Sequence, residues 1–301
     1  MVKAIRLLPI WFLLFVSMAA RGADTKDIDC FIDCIVSSED IYEKSPVTFT
    51  LTLFSEVADV SFYQNLSSFN FKNLNVDAVN KFEFAGKSYR KQVKGKTYYC
   101  FPLEAYSVVF PTKGTYSLDK LDFKVGIACP VIVNDPFWGR IRSSEIKEKL
   151  ISVEKFSVKV KSLPVAPSGF NFSGAVGEFS IDAYLTSNNI YLNEEAVIVF
   201  VIKGNGILPA NVMPVYANAF GNGLRLKSVS DSRSVRYYAK EPVSELRLEC
   251  SFIPESSQDL EIGPIKLGYF DPSVQKYVTA QSKPLKINVK SSVSKKQSIT
   301  I

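Results

Sequence analysis

SLPVAPSGFNFSGAVG, Ser162–Gly177, divides this chain in two. It follows the alternating run Phe156-Ser-Val-Lys-Val160 and precedes Glu178-Phe-Ser-Ile-Asp-Ala-Tyr-Leu185, both strand-like. Between them stand Pro164, Pro167, Gly169, Gly174 and Gly177. Proline fixes φ and has no N–H to donate, and glycine accepts positive φ, so the segment is expected to break a sheet ladder. The reading is a linker, residues 162–177, between two β domains at 23–161 and 178–290.

The flanks repeat one pattern. Ser38-Glu-Asp-Ile-Tyr42 resembles Ser187-Asn-Asn-Ile-Tyr191, 149 positions later. Each is followed by an apolar strand, Val47–Leu53 and Ala196–Ile202. Pro111…Tyr116-Ser-Leu118…Leu121-Asp-Phe123 is answered by Pro254…Leu260-Glu-Ile262…Ile265-Lys-Leu267. Each half closes on a short alternating strand, the second being Leu285-Lys-Ile-Asn-Val289. The same features in the same order point to a duplicated unit.

With 301 residues and 47% apolar content, there is enough chain for two cores. Short alternating runs rich in β-branched and aromatic residues, punctuated by turns, predict an all-β protein of two tandem immunoglobulin-like antiparallel β-sandwiches. Within the first half, Ile28–Val36 alternates with Cys30 and Cys34 on the inner face. Val47–Leu53 alternates with threonines on a wet face. Tyr98–Phe110 is a long strand turning at Pro111–Gly114 and returning through Tyr116–Val125. Phe82 and Phe84 open a strand before an Ala85-Gly86 turn. Residues 128–150 interrupt the pattern, and Ser144–Leu150 reads as one or two helical turns. In the second half Val197–Ile202, apolar on both faces, is a central strand. Gly204-Asn-Gly206 and Gly221-Asn-Gly223 are turns, and Tyr269-Phe-Asp-Pro272 turns toward Tyr277-Val-Thr279.

Lys3 and Arg6 ahead of the apolar Leu7–Val16, then small residues to Ala23, form a secretory signal spanning residues 1–22, with cleavage after Ala20 or Gly22. The apolar run is shorter than the roughly 20 residues of a membrane span. A polar tail, residues 291–301, ends the chain. The expected location is extracytoplasmic or periplasmic, either soluble there or held by partners. The signal carries three positive charges of the net +6, leaving the mature chain near +3 with both signs interspersed. No basic block suits nucleic acid.

Export permits disulfides. Cys30 and Cys34, four apart on a strand, would have Cα atoms about 13 Å apart, too far for a bridge. Cys100 and Cys129 flank the expected hairpin and are the candidate pair. Cys250 alternates inward with Leu246, Leu248 and Phe252 and reads as a core thiol. With 0 histidines, His-based triads, bases and metal ligands are excluded. Neither glycine-rich phosphate pattern occurs. No cofactor is indicated, the chain is read as non-enzymatic, and a hydrolase has no positive support.

The best functional candidate is the loop Asn134-Asp-Pro-Phe-Trp-Gly-Arg-Ile-Arg142. Phe137 and Trp138 beside Arg140 and Arg142 have the composition of a binding hot spot; the alternative is that both rings fold back to cap their own sandwich.

Ser173-Gly-Ala-Val-Gly-Glu-Phe-Ser180 after Leu163-Pro164, the closing run Ile262-Gly-Pro-Ile-Lys-Leu-Gly-Tyr-Phe-Asp-Pro272…Tyr277-Val-Thr279…Ser282-Lys-Pro-Leu285, and the aromatic loop Asn134–Gly139 resemble the BatD family of bacterial oxygen-tolerance (aerotolerance) operon proteins. That resemblance implies an exported, membrane-associated protein of tandem β domains. It also implies partners: membrane proteins with von Willebrand A domains, tetratricopeptide proteins and a MoxR-type ATPase across the membrane. The chain departs from the family in lacking its usual C-terminal transmembrane segment. Because von Willebrand A domains hold a metal that accepts a partner's carboxylate, Asp135 is a candidate ligand in trans. The expected function is an interaction scaffold of an envelope stress-tolerance complex; the alternative is an immunoglobulin-like adhesin or periplasmic chaperone.

Overall fold

The structure, a computed structural model, describes residues 28–75, 79–82, 87–216, 219–238 and 241–291. The signal segment, Phe84, the Ala85-Gly86 turn and the tail beyond Ser291 lie outside the described residues. Every regular element described is a β-strand, so the all-β expectation holds. The chain forms two compact units. Of the described residues, the first holds those within 28–37, 48–106 and 115–159; the second holds those within 38–47, 107–114 and 160–291.

In the first unit, β1 (Cys30–Val36), β3 (Pro46–Ser55), β7 (Lys96–Val109) and β5 (Val79–Phe82) pair in the order β1-β3-β7-β5. β6 (Tyr89–Val93) also lies on β7. A second sheet is β10 (Gly139–Val153), β9 (Leu121–Asp135) and β4 (Val60–Asn65). The core draws on both sheets: Phe49, Leu51 and Leu53 from one, Phe123, Val125 and Ile127 from the other, all fully buried. The face of β3 expected to be wet is not. Thr48 and Thr52 are buried, because Phe54, Tyr98, Cys100 and Phe31 build a satellite cluster there. Phe31 and Phe54 stack at 4.8 Å.

In the second unit, β13 (Phe179–Leu185), β15 (Ala196–Gly204), β17 (Glu241–Pro254) and β16 (Leu224–Tyr238) pair in the order β13-β15-β17-β16. β12 (Phe172–Val176), β19 (Lys266–Asp271) and β20 (Lys276–Gln281) form another sheet. One cluster unites their inner faces, with Ile198, Phe200, Ile202, Leu248, Cys250 and Phe252 against Leu267, Tyr269 and Ala280. This is a sandwich, and Val197–Ile202 is indeed interior to its sheet. The linker reading needs correction at one end. Phe172–Val176 pairs in parallel with β19, and the ladder tolerates Gly174 through a bulge between Phe172 and Ala175.

The duplication is visible in hydrogen bonds. β2 (Ile41–Tyr42) pairs in parallel with β11 (Phe156–Lys161), Ile41 facing Val160. β14 (Ile190–Tyr191) pairs in parallel with β22 (Val289–Lys290), Ile190 facing Val289. Lys44 and Asn193, 149 positions apart, both adopt positive φ, at 64° and 62°. Ser37 N–H donates to Thr48 O and Thr186 N–H to Val197 O. Lys44 N–H donates to Phe110 O and Asn193 N–H to Pro254 O. The parallel pairings of β2, β12 and β14 depart from the purely antiparallel expectation, because a strand that enters after a crossover runs with its neighbour.

Candidate functional site

The hairpin of β9 and β10 carries the predicted loop at its end. It is in full register from Leu121 facing Val153 to Asp135 facing Gly139. Thus residues 128–150 are not an interruption, and Ser144–Leu150 is strand rather than helix. The apolar Ile146 and Leu150, four apart, mimic a helical stripe, but ladder pairing with Ala128 and Lys124 decides their conformation.

β4 pairs only with the base of this hairpin, as far as Ile127. Beyond it the two strands continue as a ribbon. The side of β9 that is core at Phe123, Val125 and Ile127 is exposed at Val133. The other side carries Ile132, Ile146 and Leu150, exposed by 48%, 51% and 76%. At its base Phe62 lies against Gly126, where a Cβ would stand 2.2 Å from the ring.

The turn is built by sequence. Asp135 Oδ1 accepts hydrogen bonds from the N–H groups of Phe137 (2.8 Å) and Trp138 (2.9 Å), and Pro136 presets φ between them. Gly139 takes φ 70° to resume the strand. Phe137 is 91% exposed and Trp138 82%. Neither ring caps the sandwich; both project from the end of the hairpin. Arg140 and Arg142 follow on one face of β10, opposite Asn134 and Ile132. Neither has an ion-pair partner among the described residues.

The cysteines are placed differently from the bridge expectation. Cys100 lies on β7 in the satellite cluster and Cys129 on β9, in separate sheets, and both are free thiols. The cause is that β8 (Gly114–Leu118) pairs with β11 instead of folding back on β7, so the expected hairpin does not form. Burial pushes the Cys250 thiol up to about 11, and burial with Asp33 nearby pushes Cys34 up to about 12. Both are protonated at neutral pH and unsuited to nucleophilic attack. Among the described residues no cluster of three or more His, Cys, Asp or Glu could hold a metal ion.

Sequence reading missed one buried polar cluster. Glu104 on β7 is 4% exposed. Its Oε1 pairs with Lys81 Nζ, and its Oε2 accepts from Asn65 Nδ2 and Tyr106 OH, both at 2.7 Å. Every polar atom of the carboxylate is thereby engaged, and Tyr106 stacks on Phe69 at 4.0 Å. The arrangement is that of a satisfied structural network.

The second unit decides the comparison with known proteins. Residues 183–289 match the BatD family model. The model is described as BatD DUF11 like domain, and the match runs from within β13 to β22. It contains the closing run Ile262–Leu285 on which the BatD resemblance rested. Ser173–Ser180 and Asn134–Gly139 both lie wholly before it. No curated protein matches the chain. No described helix is long and apolar enough to cross a membrane.

Proposed function

We propose that the protein is an exported, non-enzymatic interaction scaffold of a BatD-type envelope stress-tolerance complex. The observation that supports this reading is the β9–β10 ribbon joined in one chain to a BatD-like sandwich. The ribbon exposes large apolar side chains on a fully paired hairpin, the kind of surface that marks an interaction site. The stretch of the ribbon bearing Ile146 and Leu150 is the surface for a protein partner, and membrane proteins with von Willebrand A domains are the first candidates by resemblance.

Co-purification of the chain from solubilised envelope tests this. The expected result is recovery of a membrane protein, lost in an Ile146→Ser/Leu150→Ser variant. Recovery of no membrane protein sinks the scaffold reading. The Asp135 contribution is separable: binding unchanged in Asp135→Asn and independent of Mg²⁺ removes the carboxylate from any metal bridge.

A further inference from the structure

We infer that the end of the β9–β10 ribbon, Phe137 and Trp138 with Arg140 and Arg142, is a lipid-surface anchor that rests in an anionic phospholipid interface. The inference deepens the proposed function and rests on its premise that the chain is exported. It assigns the end of the ribbon, as far as Arg142 and its cross-strand neighbour Ile132, to lipid and leaves Ile146 and Leu150, lower on the same side, to protein.

Four observations carry it. First, the end is convex. The ribbon is two strands wide, with no third strand paired to it past Ala128 among the described residues, and both rings stand almost fully in solvent. A protein hot spot works inside a rim of neighbouring contacts that excludes water, and this end supplies no rim of its own. An interface of lipid headgroups needs none.

Second, the two most projecting side chains are of the types that favour the membrane–water boundary. Trp138 and Phe137 are held outward by the Asp135-capped turn, at 82% and 91% exposure, and both lie in the bend itself.

Third, the charges suit phosphate. The Arg140 and Arg142 guanidiniums are uncompensated among the described residues, whereas Lys124, lower on the same side, is paired with Glu148 at 2.7 Å. The acid at the turn, Asp135, spends one carboxylate oxygen on holding it. Glu145 lies on the opposite side of β10 and farther from the end. Arginine binds phosphate through its planar fork of donors.

Fourth, the spacing fits. Arg140 and Arg142 stand two and four residues behind Trp138, about 7 and 13 Å along a strand. The headgroup layer is roughly 5–8 Å thick on each side of the hydrocarbon core. Rings at the boundary therefore place Arg140 among the phosphates and the Arg142 backbone about 5 Å outside them, within reach of its long side chain.

The test is co-flotation with vesicles of phosphatidylethanolamine and phosphatidylglycerol, against vesicles of phosphatidylcholine alone. The protein starts at Ala23, so that the apolar Leu7–Val16 contributes nothing; it retains every described residue. Binding is expected on the anionic vesicles and at least about ten-fold weaker on phosphatidylcholine. Phe137→Ser/Trp138→Ser is expected to reduce anionic binding at least about ten-fold, and Arg140→Gln/Arg142→Gln to remove its salt dependence. All four side chains are exposed, and unchanged thermal unfolding of the variants shows that the fold is kept. No binding to anionic vesicles, or wild-type binding by both variants, overturns the inference. Loss of a co-purified protein on changing Phe137 and Trp138, without loss of vesicle binding, assigns the end to a protein groove and also overturns it, while the scaffold reading stands.

Discussion

Tyr106→Phe isolates one bond in the buried cluster of the first unit. The tyrosine hydroxyl donates to Glu104 Oε2 at 2.7 Å, while its ring stacks on Phe69, so phenylalanine deletes the donor and keeps the packing. The acceptor is a carboxylate, 4% exposed, and a hydrogen bond to a charged group contributes about 1.5–3 kcal/mol. Lys81 and Asn65 remain on the carboxylate, so the charge is not stranded, and the loss should stay within that range instead of reaching that of a broken buried ion pair. For a unit of this size about 3–4 °C accompanies each kcal/mol, giving a fall in Tm of about 5–12 °C. The assay is calorimetry of the whole chain, resolving the transition of the first unit from that of the second, because two units need not unfold as one. Asn65→Ala, alone and combined with Tyr106→Phe, should show non-additivity, since both donors share Oε2. A Tm change below about 2 °C, or strict additivity, would refute the argument that the cluster acts as a satisfied buried network.

Three further outcomes are expected. Gly206→Ala should destabilise the second unit by about 3 kcal/mol in urea unfolding, because the new Cβ would stand 2.1 Å from Val176 O and 2.7 Å from Gly177 Cα, backbone that cannot turn aside. Thr52→Val should stabilise the first unit by about 1 kcal/mol in the same assay, since the Thr52 hydroxyl is buried with no hydrogen-bond partner among the described residues and valine keeps its shape. Lys96, paired with Asp29 and Glu56, holds both carboxyls below their ordinary values of 3.8 and 4.5. Their stabilising contribution is therefore complete above those values and lost as pH falls below them. Thermal unfolding against pH should show a shallower acid loss in Lys96→Met than in wild type.

Local sequence chemistry was enough for many of the strands and for their duplication. Apolar alternation placed Leu246, Leu248, Cys250 and Phe252 in the core, all now fully buried, and Ile41-Tyr42 and Ile190-Tyr191 as equivalent pieces. Period two and turn residues are properties of neighbours along the chain, so they can be read there. The Asp135-Pro136…Gly139 turn and its aromatic residues were legible for the same reason. What the sequence left open was which strand lies beside which. Whether Tyr116–Leu118 returns on β7 or joins β11 sets where Cys100 and Cys129 go, and both are pairings across long separations. Likewise Ile146 and Leu150 look helical until β9 fixes them in a ladder, on the side opposite Phe123, Val125 and Ile127, which leaves them exposed. Glu104 is indistinguishable from a surface acid until Asn65, Lys81 and Tyr106 arrive from separate segments to meet its charge. Burial and partnership depend on contacts between distant residues, and only the folded chain brings those residues together.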